Sequence, residues 1–379
     1  MVKAGCTIVD LYCGCGGFSL GAELAGFRSL AAIDIDPILQ SSYRLNFPRT
    51  KTIQGSVADF DTATWRHFLG SERPDGIIGG PPCQGFSRIG KRRKDDPRNS
   101  LIHHFYRQVN SLSPKFFVME NVEGLLDAQN VDLLNSGIEL VAKRYRVCSP
   151  TIVNAANFGA ATNRHRVVVI GYDPERMDAV SLNDIATLPP GGYSTVRDAI
   201  ADLPSPIPDL KMPHNFGWSE YPEVDAAGLS EYAARLRCTP PDGLGWDEAI
   251  AKLQSGVVSG MFSTMHSKAV AKRYSDTLPG KCDPISRSQK LAWNGLSPTL
   301  RAGTGSDKGS YQAVRPLHPS ESRVITVREA ARLQGFPDWF VFHPAKWHSF
   351  RMIGNSVSPL VSYALLHHLH AKLAVPLAA

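Results

Sequence analysis

The first half of the chain alternates short apolar runs with stretches of helical spacing, and each apolar run is stopped by glycine, proline or an acid. Thr7-Ile8-Val9-Asp10-Leu11-Tyr12 reads as a strand ending in the glycine-rich turn Cys13-Gly14-Cys15-Gly16-Gly17, and Phe18 to Ala25 as a helix closed by Gly26. Leu30 to Ile33 forms a second strand ending at Asp34, and Gln54-Gly55-Ser56-Val57 closes a third. Pro74 to Ile78 forms a fourth, which Gly79-Gly80-Pro81-Pro82 stops abruptly. A helix over Leu101 to Leu112, a buried strand Lys115 to Met119 ending at Glu120-Asn121-Val122, and a helix over Asn135 to Arg144 follow. Arg146 to Val153 and Val167 to Ile170 are two further strands. Strand, glycine turn, helix and strand open a nucleotide-type βαβ unit, so the expected class is α/β with a mostly parallel sheet.

From about residue 174 to 320 proline and glycine abound and the periodicities are short, which predicts a second region with little regular helix. Helical spacing returns over Thr326 to Gln334, and an apolar helix over Leu360 to Leu373 follows the stretch Met352 to Pro359. There is no internal repeat and no low-complexity segment.

With 379 residues, 43% hydrophobic and 20% charged, the chain suits one large domain plus a smaller one and is not a disordered protein. A net charge of +6 permits a nucleic-acid partner without demanding one. The seven cysteines are odd in number and scattered, so no disulfide framework follows. A secretory leader pattern and long apolar runs are lacking, and the reading is a reducing, cytoplasmic compartment without a membrane. Cys13 and Cys15 have no second pair at zinc spacing, and His367, His368 and His370 form no i, i+4 pair beside a carboxylate. No metal site is expected.

The candidate chemistry begins at Cys83, which follows two prolines, precedes polar Gln84 and is trailed by Arg88, Lys91, Arg92, Arg93 and Lys94. Nearby cations lower a thiol's pKa, so a reactive thiolate facing an anionic substrate outweighs a buried structural cysteine here. Glu120 stands just past the end of an apolar strand, where open α/β sheets keep their sites. Arg164 and Arg166 alternate into the next strand, share one face by the two-residue period, and together call for an anion. Asp34 lies about twenty residues after Gly14, where an acid binds ribose hydroxyls. The third glycine of a dinucleotide fingerprint is replaced by Ser19, with the next glycine at Gly21, so S-adenosylmethionine suits the pattern better than NAD: it has an adenosine and no pyrophosphate. Between 261 and 310, Lys268, Lys272, Arg273, Lys281, Arg287, Lys290, Arg301 and Lys308 face only Asp276, Asp283 and Asp307, with Tyr274 and Trp293 among them, which fits nucleic acid.

Taken together, Asp10-Leu11-Tyr12-Cys13-Gly14-Cys15-Gly16-Gly17, Pro81-Pro82-Cys83-Gln84, Glu120-Asn121-Val122, Arg164-His165-Arg166, Arg328-Glu329-Ala330-Ala331-Arg332 and Gly354-Asn355-Ser356-Val357 make the chain resemble the DNA (cytosine-5) methyltransferases of bacterial restriction-modification type. The resemblance spans nearly the whole chain. It implies a Rossmann-like S-adenosylmethionine-dependent methyltransferase fold over residues 1–185 together with 340–379, with a smaller, irregular target-recognition domain over 186–339. It implies that Cys83 is the nucleophile, that Glu120 handles the proton at cytosine N3, and that Arg166, with Arg164 beside it, anchors the base. Tyr12, Gly14, Gly16, Gly17, Asp34, Ile35, Ser56, Val57, Pro82, Leu101, Asn355 and Val357 would line the S-adenosyl-L-methionine site, Asn355 being folded back at a strand end beside the glycine turn. Gln84, Ser87, Arg88, Lys91, Arg92 and Asn121 would meet DNA around the flipped cytosine. Arg287, Gln289, Lys290 and Arg301 are the expected base readers, with Thr299 positioning the backbone.

Three residues depart from the family's pattern. Ser56 stands where an acid contacts the adenine amino group, Thr162 where a glutamine is usual, and Tyr12 where phenylalanine is frequent. The implied partner is double-stranded DNA, with a cognate restriction endonuclease acting separately, and the chain is expected to be a monomer near the nucleoid. The alternatives are an RNA (tRNA) cytosine-5 methyltransferase, whose Cys-Phe-Thr tripeptide is missing here, and a catalytically silent DNA-binding relative, against which intact Cys83, Glu120 and Arg166 speak.

Overall fold

The computed structural model describes residues 5–82, 100–185, 187, 192–209, 214–223, 228–302 and 315–373. In chain order the first region contains β1 (Thr7–Leu11), α1 (Gly17–Leu24), β2 (Arg28–Asp34), α2 (Pro37–Asn46), β3 (Lys51–Gln54), α3 (Thr62–Leu69), β4 (Gly76–Gly79), α4 (Ser100–Leu112) and β5 (Phe116–Asn121). It continues with α5 (Val131–Glu139), β6 (Arg146–Val147), β7 (Thr151–Asn154), β8 (Thr162–Asn163) and β9 (His165–Tyr172). The main sheet has the order β3-β2-β1-β4-β5-β9-β6, and β7 also pairs with β9. Strands β1 to β5 run parallel, while β9 is antiparallel to β5, β6 and β7.

Alternation along the parallel strands feeds two cores. Val9, Leu11, Ile77, Phe117 and Met119 pack with Trp65, Phe105, Tyr106 and Leu134 on one face. Ile8, Ile78, Phe116, Val118 and Val168 pack with Phe18, Leu365 and Leu369 on the other. Both faces are covered, which is why these strands read as continuous apolar runs.

The later region holds α6 (Val196–Ile200), β10 (Ser219–Glu220), α7 (Glu231–Leu236), α8 (Asp247–Gln254), β11 (Val257–Val258), α9 (Lys268–Asp276) and β12 (Ser297–Pro298). After it come α10 (Val327–Leu333), α11 (Lys346–Asn355) and α12 (Pro359–Leu373). Helix α12 returns to α1: a Cβ on Gly21 would collide with Ser362, whose Oγ donates to the Phe18 carbonyl at 2.6 Å. Gly21 is therefore a helix-packing glycine and not part of a ligand loop. Among the described residues no helix is long and apolar enough to cross a membrane.

Several expectations are corrected. The helix expected over Asn135 to Arg144 starts a turn earlier, at Val131 after Asn130, and ends at Glu139. The strand expected over Arg146 to Val153 is two, separated at Cys148-Ser149-Pro150, where proline has no N–H to give the ladder. The region expected to hold little regular helix contains α6 to α9, whose five to nine residues are too short to display a repeating apolar stripe. Asn355 ends a helix and not a strand.

One further apolar cluster is continuous from Leu20, Tyr43 and Phe47 through Val196 and Tyr232 to Phe336, Phe340 and Ile353. Two fully buried arginines stitch it. Arg328 donates to the Ser259, Pro337 and Phe340 carbonyls, and Arg332 donates to Asp338 at 2.7 Å and to Asp202 at 3.0 Å.

Candidate active site

The strand order reverses between β1 and β4, and the crevice this leaves at the C-terminal strand ends is where the candidate residues gather. Tyr12 (φ 63°), Gly14 (φ 54°) and Gly16 (φ 100°) lie in the left-handed region and wrap the turn after β1. A Cβ on Gly16 would strike Phe47, and one on Gly17 would strike Ser356 and Val357, whereas Gly14 faces open space. Gly16 and Gly17 thus let the Asn355–Val357 segment and α2 approach, leaving Gly14 toward the crevice. The Gly14 N–H donates to Asp34 Oδ2 at 2.9 Å and the Asp36 N–H to Asp34 Oδ1 at 2.9 Å. Burial pushes the Asp34 pKa up, against the pull of those two N–H groups.

Next to Asp34, Ile35 is 68% exposed and presents an apolar plate. Asn355 is exposed at the end of α11, and Val357 is buried behind it. Tyr12 donates its hydroxyl to the Leu101 carbonyl at 3.0 Å, tying the turn to α4. Val57 is held through its carbonyl by Gln108, at 2.9 Å. Ser56 Oγ accepts from Ala58 N at 3.2 Å, so it already serves as a helix cap. A carboxylate, an apolar plate and an exposed amide around an open glycine turn form a donor and acceptor set that suits adenosine.

Beneath the turn, Ser19 Oγ donates to Asp10 Oδ2 at 2.6 Å and Tyr43 donates to Ser19 at 2.8 Å. Burial raises the Asp10 pKa to about 8. Burial likewise raises the Cys15 thiol to about 12 and the Cys13 thiol well above its ordinary value, which makes both poor nucleophiles.

The second half of the crevice lies at the ends of β4, β5 and β9. Glu120 is 8% exposed at the end of β5, and Arg166 on β9 places Nε 3.0 Å from its Oε1. The contact is an ion pair without hydrogen-bond alignment, so Oε1 is buried and receives no hydrogen bond. A small cavity lined by Glu120, Arg164, Arg166, Val153, Val357 and Val361 adjoins the pair. The Gly80-Pro81-Pro82 lead-in passes beside it: a Cβ on Gly80 would lie 3.6 Å from Glu120 Oε2, and Asn121 Nδ2 donates to the Pro81 carbonyl at 3.1 Å. Cys83, Gln84, Ser87, Arg88, Lys91 and Arg92 lie outside the described residues, and Pro82, exposed, is the last residue before them.

Three expected site residues have different work. Asn121 is buried, donates to the Pro81 carbonyl and accepts from Val122 N, and so holds the lead-in to Cys83. Arg164 is directed to backbone carbonyls, whereas Arg166 pairs with Glu120. The Arg164 guanidinium donates to the carbonyls of Leu300 (3.3 Å), Gly354 (3.1 Å) and Ser356 (2.8 Å), joining β8 to the segment after β12 and to the end of α11. Burial and then Arg166 pull its pKa down. Lys290 is buried and donates to the Tyr274 carbonyl at 3.0 Å, which turns its ammonium group inward. Thr299 donates to the Asn163 carbonyl at 2.8 Å, while Arg287 and Arg301 are exposed and Gln289 half-buried.

Sequence reasoning did not single out Arg351, which pairs with Asp36 at 2.7 Å and lies over the Trp347 ring. Through Asp36 it braces Asp34. The one signal in the sequence was Asp36-Pro37, a helix cap followed by proline at the first helical position.

A family profile for C-5 cytosine-specific DNA methylases matches residues 6–371, almost the whole chain. The chain belongs to the C-5 cytosine-specific DNA methylases. This DNA (cytosine-5) methyltransferase is similar to the Type II methyltransferase M.XorII of Xanthomonas oryzae, with 41% identity over 368 residues, 94% of this chain and 82% of that protein. It is also similar to the Type II methyltransferase M.DdeI of Desulfomicrobium norvegicum, with 32% identity over 94% of this chain and 87% of that one. The methyltransferase is of the restriction-modification type. A solved structure described as a DNA modification methyltransferase encoded within an E. coli prophage superposes with a TM-score of 0.85 at 39% identity, covering 97% and 99% of the two chains. The S. pombe Dnmt2 methyltransferase, 18% identical with a TM-score of 0.61 over 97% and 99% of the chains, shares the fold.

Proposed function

We propose that the enzyme transfers the methyl group of S-adenosyl-L-methionine to C5 of a cytosine flipped out of a specific double-stranded DNA sequence, through a covalent bond between Cys83 and C6. The observation that carries this reading is Glu120, a buried carboxylate beside Arg166 with one oxygen free of any hydrogen bond, next to the lead-in to Cys83. Cytosine C5 is a poor nucleophile. The Cys83 thiolate adds to C6 while a proton is delivered to N3 through Glu120, which converts the ring to an enamine with electron density at C5. Arg166 holds the Glu120 carboxylate in place and points its guanidinium at the base oxygen. After C5 is methylated, transfer of the C5 proton to solvent water expels the Cys83 thiolate and restores the aromatic ring, and Glu120 takes back the N3 proton. The base must leave the duplex to reach these groups.

Bound S-adenosyl-L-methionine supplies an electrophilic methyl group. Asp34 would accept from its ribose hydroxyls, Ile35 and Tyr12 would flank the adenine, and Gly14 and Asn355 would face the amino-acid end. Gly16, Gly17, Val57, Pro82, Leu101 and Val357 shape the walls, and Ser56 keeps one lone pair for the adenine amino group. Residues 1–185 with 340–379 form the catalytic and cofactor domain in this reading, and 186–339 the target-recognition domain. A monomer acting on cytoplasmic, nucleoid DNA, with any cognate endonuclease acting separately, completes it.

The test is methyl transfer to DNA from labelled S-adenosyl-L-methionine followed by bisulfite sequencing. Wild type should give 5-methylcytosine in one sequence context, and Cys83→Ala none while still binding that DNA, because affinity comes mainly from phosphate contacts. Transfer by Cys83→Ala at a rate near wild type would refute the mechanism.

A further inference from the structure

The cations of residues 268–290 fall into two groups. Arg273 donates to Asp283 Oδ1 at 2.5 Å, Lys290 donates to the Tyr274 and Ser275 carbonyls at 3.0 and 3.2 Å, and Lys272 pairs with Asp276 at 3.4 Å. Lys268, Lys281 and Arg287 are exposed and form no ion pair among the described residues. Asp283 is buried and Asp276 pairs at the surface with Lys272, so the unpaired charges left toward solvent are cationic.

Residues 278–290 form a hairpin braced against α9 by Lys290 at its base and by Asp283 near its tip. Gly280 N donates to Lys290 O at 2.7 Å, Lys290 N to Lys281 O at 2.8 Å, and Asp283 N to Ser288 O at 2.8 Å. Its tip is folded around the Asp283 carboxylate, which is fully buried and accepts from Ile285 N (3.2 Å) and Ser286 N (2.6 Å) as well as from Arg273. Arg287, at φ 60°, donates its N–H to the Asp283 carbonyl at 2.9 Å. A carboxylate taken out of water is costly unless paired, and this one fixes the backbone of an exposed tip. The tip presents Ile285, 72% exposed, and the unpaired Arg287 two residues on. A scattered surface isoleucine needs no explanation. One mounted on a pre-organised tip beside a free arginine is arranged to meet something.

A two-stranded ribbon fits the major groove, which is about 12 Å wide. The ribbon is too narrow to cover the roughly 800 Å² per side that a stable protein partner needs, and its free charges are all of one sign. We propose that this tip reads two neighbouring base pairs in the major groove: Arg287 donates to O6 and N7 of a guanine, and Ile285 packs on the 5-methyl group of an adjacent thymine. Lys268 and Lys281 contact the flanking phosphates. The assignment rests on the proposed action on double-stranded DNA and adds the residues and the base pair step that set its specificity.

The test is a protein–DNA double-mutant cycle. The site methylated by the full-chain wild type is first read from a randomised duplex library by bisulfite sequencing, and Ile285→Ala and Arg287→Ala are then run on the same library. Ile285→Ala should relax preference at one A·T pair and Arg287→Ala at the G·C pair beside it. Replacing that thymine by uracil, which lacks the methyl group, should lower wild-type kcat/KM about fivefold and leave Ile285→Ala within about twofold of its own value. Unchanged preferences in both variants, an equal uracil effect in wild type and Ile285→Ala, or a site with no A·T pair next to a G·C pair would overturn the assignment. Absence of wild-type methylation anywhere in the library would instead fall on the proposed function. Matching thermal melts of the variants establish that they fold.

Discussion

Replacing Arg164 by methionine tests whether this arginine is a structural bracket or a second anchor for the base. The substitution removes three donors. The Ser356 carbonyl keeps another at 2.9 Å from Gln334 Nε2, but the Leu300 and Gly354 carbonyls lose theirs. Two buried acceptors left unsatisfied cost about 1 to 3 kcal/mol each. Methionine recovers part of this by packing, and by removing Arg164 Nε, which is buried without a partner. A net loss of about 3 kcal/mol follows, which for a chain of this length lowers Tm by about 4 °C. Because the bracket ends beside Asn355, KM for S-adenosyl-L-methionine should rise, while kcat at 20 °C stays within about tenfold of wild type. Arg166→Met should behave differently, losing about 10²- to 10⁴-fold in kcat because Glu120 loses the group that holds it. Calorimetric melting and steady-state kinetics on both variants decide the matter. If Arg164→Met melts within about 1 °C of wild type and loses as much kcat as Arg166→Met, Arg164 touches the base and the bracket is wrong.

Gly21→Ala should destabilise the protein by about 1 to 3 kcal/mol, because the added methyl collides with Ser362 where α1 and α12 cross; a melt unchanged from wild type would show that the helices can separate at no cost. Asp10 is held above its ordinary value of 3.8 at about 8 by burial, so the folded state binds a proton that the unfolded state has already lost. Stability contributed by keeping that proton falls as pH rises from about 4 through about 8. Wild type should therefore lose stability relative to Asp10→Asn over that window in denaturant titrations, and parallel pH profiles would contradict the assignment.

The parallel strands were legible because each is buried on both faces and so reads as an unbroken apolar run stopped by a turn residue. Glu120 and Arg166 were legible for the same reason: both sit at the ends of such runs, and antiparallel pairing of β5 with β9 brings Asn121 opposite Val167 and the two charges together. The carbonyl partners of Arg164, Asn121 and Lys290 were hidden because every residue carries a backbone carbonyl and no pattern marks it; Arg164 meets Gly354 across 190 positions of sequence. The Asp283 hairpin was hidden likewise, its charge bias visible but not the division into buried and free cations. Helices α6 to α9 escaped notice because each spans fewer than three turns, and α5 was displaced because Asn130 before it makes no capping hydrogen bond to the helix and donates instead to the Gly124 carbonyl at 2.6 Å.

The proposed covalent bond from Cys83 to the target cytosine can be trapped chemically. It is tested by incubating the enzyme and S-adenosyl-L-methionine with a duplex carrying 5-fluorocytosine at the methylated position. Fluorine at C5 cannot leave as a proton, so the thiolate cannot be expelled, and the account predicts a denaturant-stable complex whose cross-linked peptide maps by mass to Cys83. It also predicts that Glu120→Gln forms the complex at least about 10²-fold more slowly. A wild-type enzyme that methylates ordinary DNA yet forms no such complex, or one whose adduct maps to another residue, would contradict it.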